Sequence, residues 1–296
     1  RGSAFPRADV VDEKVRGETC FKSGWMNIRL GTRGSRLALW QANRVAGLIS
    51  EVEPRTEVEL VIIKTTGDER SEFGDLAPEQ VGEFTSELEK KLLLGEIDAV
   101  VHSAKDLPTR LPMGLVVVAY PERADPRDAL VRRDTGSKEP PNGAVIATGS
   151  PRRDMLWRER WKETKTREIR GNVDRRMEKL QEHTDLWGLV LACAGIDRLG
   201  GVPEKLIMER LDSAWMVPSP GQGALAVECR LDNPDVVKAL GKIDDPKVRA
   251  CVEAEKGFLC KWGGGCSESV GALGTLQPNG TIHLQAAVQD LSLIHI

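Results

Sequence analysis

One cysteine, Cys266, sits directly behind three glycines in KWGGGCSES, close to the end of the chain. Glycines clear away side chains and permit backbone shapes denied to other residues, so something bulky can lie against such a loop. A thiol there, without metal-ligand spacing around it, suits a nucleophile or a point of covalent attachment, although a buried structural cysteine is the commoner role for this residue. A second group with chemical potential is VVHSAKDLPT, where Lys105 and Asp106 stand side by side at the end of a strand-like run. A carboxylate beside a cation can stabilise developing positive charge or move a proton, and a salt-bridged turn is the plainer alternative. Asp68, in TTGDE, presents the same choice.

Arginines form the third group. Arg33 and Arg36 follow the first strand-like run, Arg152 and Arg153 follow ATGSP, and Arg170, Arg175 and Arg176 surround GNV. In open α/β sheets the strand C-termini and the helix N-termini behind them line the ligand crevice, where free N–H groups already favour anions. Guanidinium groups add paired hydrogen bonds to carboxylate or phosphate. Acids at helical spacing in RRDMLWRERW and VDRRMEKLQE also allow a solvated face of ion pairs. Recurrence at equivalent joints favours a cleft for a polyanion.

These residues need strands and helices to position them, and the chain alternates the two from Asn27 onward, the pattern of an α/β architecture. IRLGT reads as a strand, SRLALWQANRVAGLISEV as a helix capped by Ser35, VELVIIKTT as a buried strand, and FTSELEKKLLLG as a helix stopped by Gly95. IDAVVHS and LVVVAY are further strands. PERADPRDAL reads as a crossing to a second set: AVIATGS, PRRDMLWRERW, TREIRGN, VDRRMEKLQEH and GLVLACAGIDRLG. MVPSPGQGALAVECR is a Pro/Gly hinge leading into a strand. DPKVRACVEAEKGFLCKW is a helix, followed by the glycine–cysteine loop and the strand-like SVGALGTL and TIHLQAAV.

The formal net charge of −3 removes the global basic field that nucleic acid would require, and no apolar run approaches the length of a membrane span. The six cysteines (Cys20, Cys193, Cys229, Cys251, Cys260, Cys266) form no C-x-x-C pair, so free thiols in a reducing cytosol are expected, with a Cys260–Cys266 disulfide the minor alternative. Residues 1–25 are polar, unpatterned and too acidic for a transit peptide, which reads as an extension foreign to the fold. LSLIHI at the other end does not read as the continuation of a domain.

IRLGTRGSRLALWQA, DAVVHSAKDLPT, ERADPRDAL, GSPRRDMLW, IRGNVDRRMEKL, LACAGIDRLG, PSPGQGALAVECR and GGGCSES, in this order, closely resemble the porphobilinogen deaminase (hydroxymethylbilane synthase) family. The resemblance runs from about Asn27 to Val288. It implies two α/β lobes like those of type II periplasmic binding proteins, joined by a hinge, plus a small α+β C-terminal domain. On this chain that gives residues 26–121 with 218–241 as domain 1, 122–217 as domain 2 and 242–296 as domain 3. It implies a transferase of tetrapyrrole biosynthesis, a monomer in the cytoplasm or, from a plant source, the plastid. Four porphobilinogen molecules are joined head to tail with loss of ammonia to give hydroxymethylbilane.

By the same resemblance, Cys266 holds a dipyrromethane cofactor through a thioether, and tethering the acceptor is worth up to about 7–11 kcal/mol where geometry is ideal. Asp106 is the catalytic carboxylate that stabilises the cation left when ammonia departs, with Lys105 beside it. Ser35, Lys105, Asp106, Arg152, Arg153 and Arg170 contact the cofactor. Arg33, Arg176 and Arg198 bind the carboxylates of the substrate, and Gln41 and Asp68 match active-site positions. Two departures stand out. APEQVGEFTSELEKK lacks a lysine found in many members, and the residues after Cys266 fall short of the family's third domain, which is expected to be incomplete and marginal. The competing classes are a solute-binding module, which would need neither Asp106 nor Cys266, and a folded fragment without activity.

Overall fold

The first patterned stretch forms β1 (Met26–Thr32), and Ser35 then caps α1 (Arg36–Val52), its hydroxyl accepting from Ala38 N at 3.3 Å. β2 (Thr56–Ile62), α2 (Glu83–Leu93) and β3 (Ala99–Ser103) follow, and Gly95, at φ 71°, turns the chain out of α2. A 3-10 turn (Ala104–Asp106) then leads to β4 (Leu115–Ala119) and β5 (Asp128–Arg133). Next come β6 (Val145–Ala147), α3 (Pro151–Arg160), β7 (Lys165–Arg167), α4 (Val173–Glu182), β8 (Leu186–Ala192), α5 (Cys193–Arg198) and β9 (Leu206–Arg210). The chain returns through β10 (Leu225–Arg230) and α6 (Pro234–Gly241) before α7 (Pro246–Trp262), β11 (Val270–Leu276), β12 (Ile282–Val288) and β13 (Leu291–His295). This computed structural model describes residues 25–64, 83–134, 136–137, 139–263, 269–288 and 291–295.

The strands form two five-stranded sheets of the same design. One has the order β2-β1-β3-β10-β4, the other β7-β6-β8-β5-β9. Written by position, both read second-first-third-crossing-fourth. The crossing strand, β10 or β5, arrives from the other lobe and runs antiparallel to its neighbours, whereas the first three strands are parallel. These are the two lobes that the periplasmic-binding-protein resemblance implies.

Each sheet is covered on both faces, as parallel strands require. In lobe one, Ala42, Val45 and Ile49 of α1 and Val236, Ala239 and Leu240 of α6 pack on Ile28, Leu30, Ala99 and Val227, while Leu88 and Leu92 of α2 cover Val100 from the other side. In lobe two, Trp157 of α3, 1% exposed, packs on Leu130, Ile146 and Val190, and Met177, Leu180 and Ile196 of α4 and α5 cover the opposite face. Replacing a fully buried tryptophan such as Trp157 by alanine costs about 3–5 kcal/mol.

Four elements escape the sequence pattern. β5 begins inside PERADPRDAL, and Asp128 and Arg132 disguise a strand buried over its first five residues, because pairing inside the protein and not polarity decides the burial of Asp128. β9 is a short edge strand with two exposed residues, and α6 is only 8 residues long. Leu291–His295 of the tail supply the backbone of β13, antiparallel to β12 in a three-stranded sheet.

α7 is started by Asp245, which accepts from Lys247 N and Val248 N, and stopped by Gly263 in the left-handed region. Its Val248 and Val252 pack beneath Ala104, Leu107, Tyr120, Ala224 and Ala226 of lobe one, and Leu259 packs on Val270 and Val288. Cys193, Cys229 and Cys251 are buried and Cys260 is exposed, all as free thiols. Among the described residues no helix is long and apolar enough to cross a membrane.

Candidate active site

β3 delivers Lys105 and Asp106 at its C-terminal end. The 3-10 turn closes with Leu107 N donating to Ala104 O at 3.4 Å, and leaves the Asp106 carboxylate exposed and Lys105 half-buried. The strand end is braced from α1 by Gln41, 4% exposed, whose Nε2 donates to Ser103 Oγ at 2.9 Å. Burial pushes the Lys105 ammonium down to about 8; Asp106 and Asp128 oppose that shift, and Arg153 and Arg152 add to it. An amine in that range can hold or release a proton near neutrality.

Arg152 and Arg153, in the first turn of α3, converge on one carboxylate. Arg152 Nη2 donates to Asp128 Oδ2 at 2.7 Å, and Arg153 Nε and Nη2 reach Oδ1 at 3.0 and 2.8 Å. Gln222 Nε2 donates to the same Oδ1 at 2.9 Å, and Arg152 Nη1 donates to Val217 O at 2.6 Å. Burial alone would raise the Asp128 pKa, but Arg152 and Arg153, helped by Gln222, outweigh it and hold the carboxyl below its ordinary range. Two guanidinium groups against one carboxylate leave a net positive charge at the head of α3, next to Lys105.

Other expected residues fall around this centre. Arg198 Nη2 donates to Gly223 O at 2.7 Å, and its guanidinium lies 5.5 Å from the ring centre of Trp40; burial lowers its pKa to about 10. Arg33 occupies the turn between β1 and α1, and Ser35 is the α1 cap. Arg176 Nε donates to Gly171 O at 2.6 Å beside Gly149, while Arg170 pairs with Glu168 at 2.7 Å. α1 and lobe two also touch directly, through an Arg36–Asp174 ion pair of 2.9 Å and the packing of α1 on α5. Cys266 and Asp68 lie outside the described residues.

Four residues at the centre of this geometry do not stand out in the sequence: Asp128, Gln222, Arg123 and Glu255. Glu255, on α7 and 0% exposed, accepts from Arg123 Nη1 and Nη2 at 2.7 and 3.0 Å, from Gly221 N at 2.7 Å and from Gly274 N at 2.8 Å. One signal was available: Glu255 interrupts the buried stripe Cys251, Val252, Leu259 of an otherwise amphipathic helix, where an acid demands a partner. A cavity of about 700 Å³ opens nearby between Arg123, α7 and β11. Its Arg123 is already engaged by Glu255, and the convergent charges lie instead at Lys105.

The chain's sequence matches the model of "Porphobilinogen deaminase, dipyromethane cofactor binding domain" over residues 28–238. It is 44% identical over 269 residues to porphobilinogen deaminase of Syntrophomonas wolfei, covering 90% of this chain and 86% of that one. It is also 44% identical to porphobilinogen deaminase 1 of Streptomyces coelicolor, over 86% of this chain and 79% of that one. The match spans both lobes, the Lys105–Asp106 turn and the arginine pair, and the chain belongs to the porphobilinogen deaminase family.

Proposed function

We propose that the cleft between the lobes, centred on Lys105, Asp106, Arg152 and Arg153, is where this chain joins porphobilinogen units. The enzyme is a transferase of tetrapyrrole biosynthesis, condensing four porphobilinogen molecules with release of ammonia into hydroxymethylbilane. The observation that carries the site is the surplus of cationic groups around Asp128 and Lys105 at the meeting of the lobes. Porphobilinogen brings an acetate and a propionate on each ring, so the growing product is a polyanion that needs several guanidinium forks.

The same residues suit the dipyrromethane cofactor of the family. Arg152 Nε and Arg198 Nε are buried without a hydrogen-bond partner among the described residues, donors that a carboxylate-bearing ligand can satisfy. Ser35, Lys105, Arg152, Arg153 and Arg170 would hold it, with Cys266 as its covalent anchor, and bound there it supplies the nucleophilic acceptor pyrrole. Arg33, Arg176, Arg198 and Gln41 bind the incoming substrate, with Asp68 nearby. Asp106, exposed to the cleft, stabilises positive charge on the substrate pyrrole as ammonia leaves. Lys105 orients carboxylates and holds a proton near the departing group. We take the chain as residues 26–121 with 218–241, 122–217 and 242–296, acting as a cytoplasmic monomer; six cysteines without a C-x-x-C pair suit a reducing compartment.

The test is the denatured intact mass of the protein exposed to porphobilinogen, beside Cys266→Ala. A dipyrromethane increment present in the parent and absent in the variant is expected; an unmodified parent that still folds would remove Cys266 as the anchor.

A further inference from the structure

The hinge motif PSPGQGALAVECR places Gln222 between two glycines that only glycine can occupy. Gly221 has φ 76°, and a Cβ there would lie 3.1 Å from Lys105 N and Ala104 C. Gly223 has φ 85°, and a Cβ there would lie 2.6 Å from Ala124 O. The Gly-Gln-Gly clip is therefore pressed between the Lys105 turn and the other crossing segment, with Ala124 N donating to Gly223 O and Ala104 N donating to Ala224 O.

The Gln222 side chain, 1% exposed, has its amide fully used. Oε1 accepts from Lys105 Nζ at 3.5 Å and from Arg153 Nη2 at 3.4 Å. Nε2 donates to Pro126 O at 2.8 Å and to Asp128 Oδ1 at 2.9 Å. The acceptor end faces two cations, and the donor end faces a carbonyl and a carboxylate. No other side chain of similar size satisfies both ends: glutamate would set a second negative charge against Asp128, and an apolar chain would leave Lys105 and Asp128 each short of a bond.

We propose that Gln222 is a positioning residue that links the hinge and the Asp128–arginine cluster of lobe two to Lys105 of lobe one, fixing where the ammonium sits and how tightly it holds its proton. This rests on the reading of Lys105 and Asp106 as the place of chemistry. The charged groups facing Lys105 are Asp106, Arg153, Asp128 and Arg152, so Gln222 supplies the neutral acceptor among them.

The experiment uses the full chain with Gln222→Glu and Gln222→Met. The pH dependence of Lys105 acetylation by acetic anhydride, located by peptide mass spectrometry, reports the proton affinity without requiring turnover. The parent midpoint is expected near pH 8; Gln222→Glu raises it by adding negative charge, and Gln222→Met lowers it by removing an acceptor of the charged form. Porphobilinogen turnover at neutral pH falls about tenfold in each, mainly in kcat. Midpoints that stay put, or that move in the same direction, overturn the proposal, since mere loosening of the hinge cannot push them apart. Should Gln222→Met fail to fold by circular dichroism, the glutamate arm decides alone: a raised midpoint supports the link and an unchanged one overturns it. Opposite shifts in a chain that consumes no porphobilinogen would remove the functional reading and leave the link standing.

Discussion

In lobe one, β1 runs through Thr32 and Gly34 to Ser35 at the head of α1; in lobe two, β6 runs through Thr148 and Gly149 to Ser150 at the head of α3. The Ser35 hydroxyl is occupied by Ala38 N, whereas Ser150 makes no side-chain cap bond. Trp40, five residues after Ser35, is 40% exposed under Arg198, while Trp157, seven residues after Ser150, is sealed in the core. The crossing strands differ more. β5 opens with Asp128, 0% exposed and matched by two arginines; β10 carries Glu228, 0% exposed, on the side of α2, with His102 Nε2 at 3.0 Å and its own Oε1 without a partner among the described residues. One frame thus buries a carboxylate twice: in lobe two it gathers two arginines, and in lobe one it meets a histidine and lies near a second acid, Glu89.

The sharpest contrast is between Asp106 and Asp128. Asp106→Asn is expected to lower porphobilinogen turnover about a hundredfold or more while leaving the melting temperature unchanged, because the side chain is exposed. Asp128→Asn is expected to unsettle the whole lobe, by about 3–5 kcal/mol in urea unfolding, since Arg152 and Arg153 remain as buried cations without their carboxylate. Equal stability of the two variants would erase the distinction between a working carboxylate and an aligning one.

The far-side carboxylates give a smaller effect of opposite sign with pH. Burial, followed by the negative charge of Glu228, pushes the Glu89 carboxyl up. The folded chain therefore keeps a proton that the unfolded chain has lost, so this contribution is greatest below the ordinary glutamate range and declines as pH rises through the folded value. Asp128, held low, behaves in reverse: its contribution is lost as pH falls through the folded value. Glu89→Gln is expected to flatten the neutral side of the stability–pH curve, and Asp128→Asn the acid side. Smallest of all is Arg36→Ala. The Arg36–Asp174 pair joins α1 to α4 with Arg36 72% exposed, so its loss should cost about 0.2–1 kcal/mol, vanish in high salt and change turnover little.

The alternation of strands and helices was legible because its signals are local: Ser35 and Asp245 cap where polar residues precede apolar stripes, and Gly95 and Gly263 stop helices. The arginine clusters were legible as a charge pattern at strand-to-helix joints, but their partners were not. Asp128 meets Arg153 across 25 positions, Gln222 meets Asp128 across 94, and Glu255 meets Arg123 across 132. Nothing local marks such residues, since each looks like an ordinary polar side chain until the crossings bring it indoors. β5 was hidden for the same reason: its first residue reads as a surface acid when its partners lie far along the chain.

Glu255 gathers four hydrogen bonds from the first crossing, the second crossing and the β11 strand. A single anion shared in this way makes docking close to all-or-none. If the α7 and β11 unit swings away, Arg123 keeps only its bond to Gln222 O, and the Arg123 guanidinium and the Gly221 N–H both lose the Glu255 carboxylate. Partly docked forms thus lose bonds on both crossing segments at once, at Arg123 and at Gly221, so the small C-terminal unit is held by the same carboxylate that ties the two crossings together.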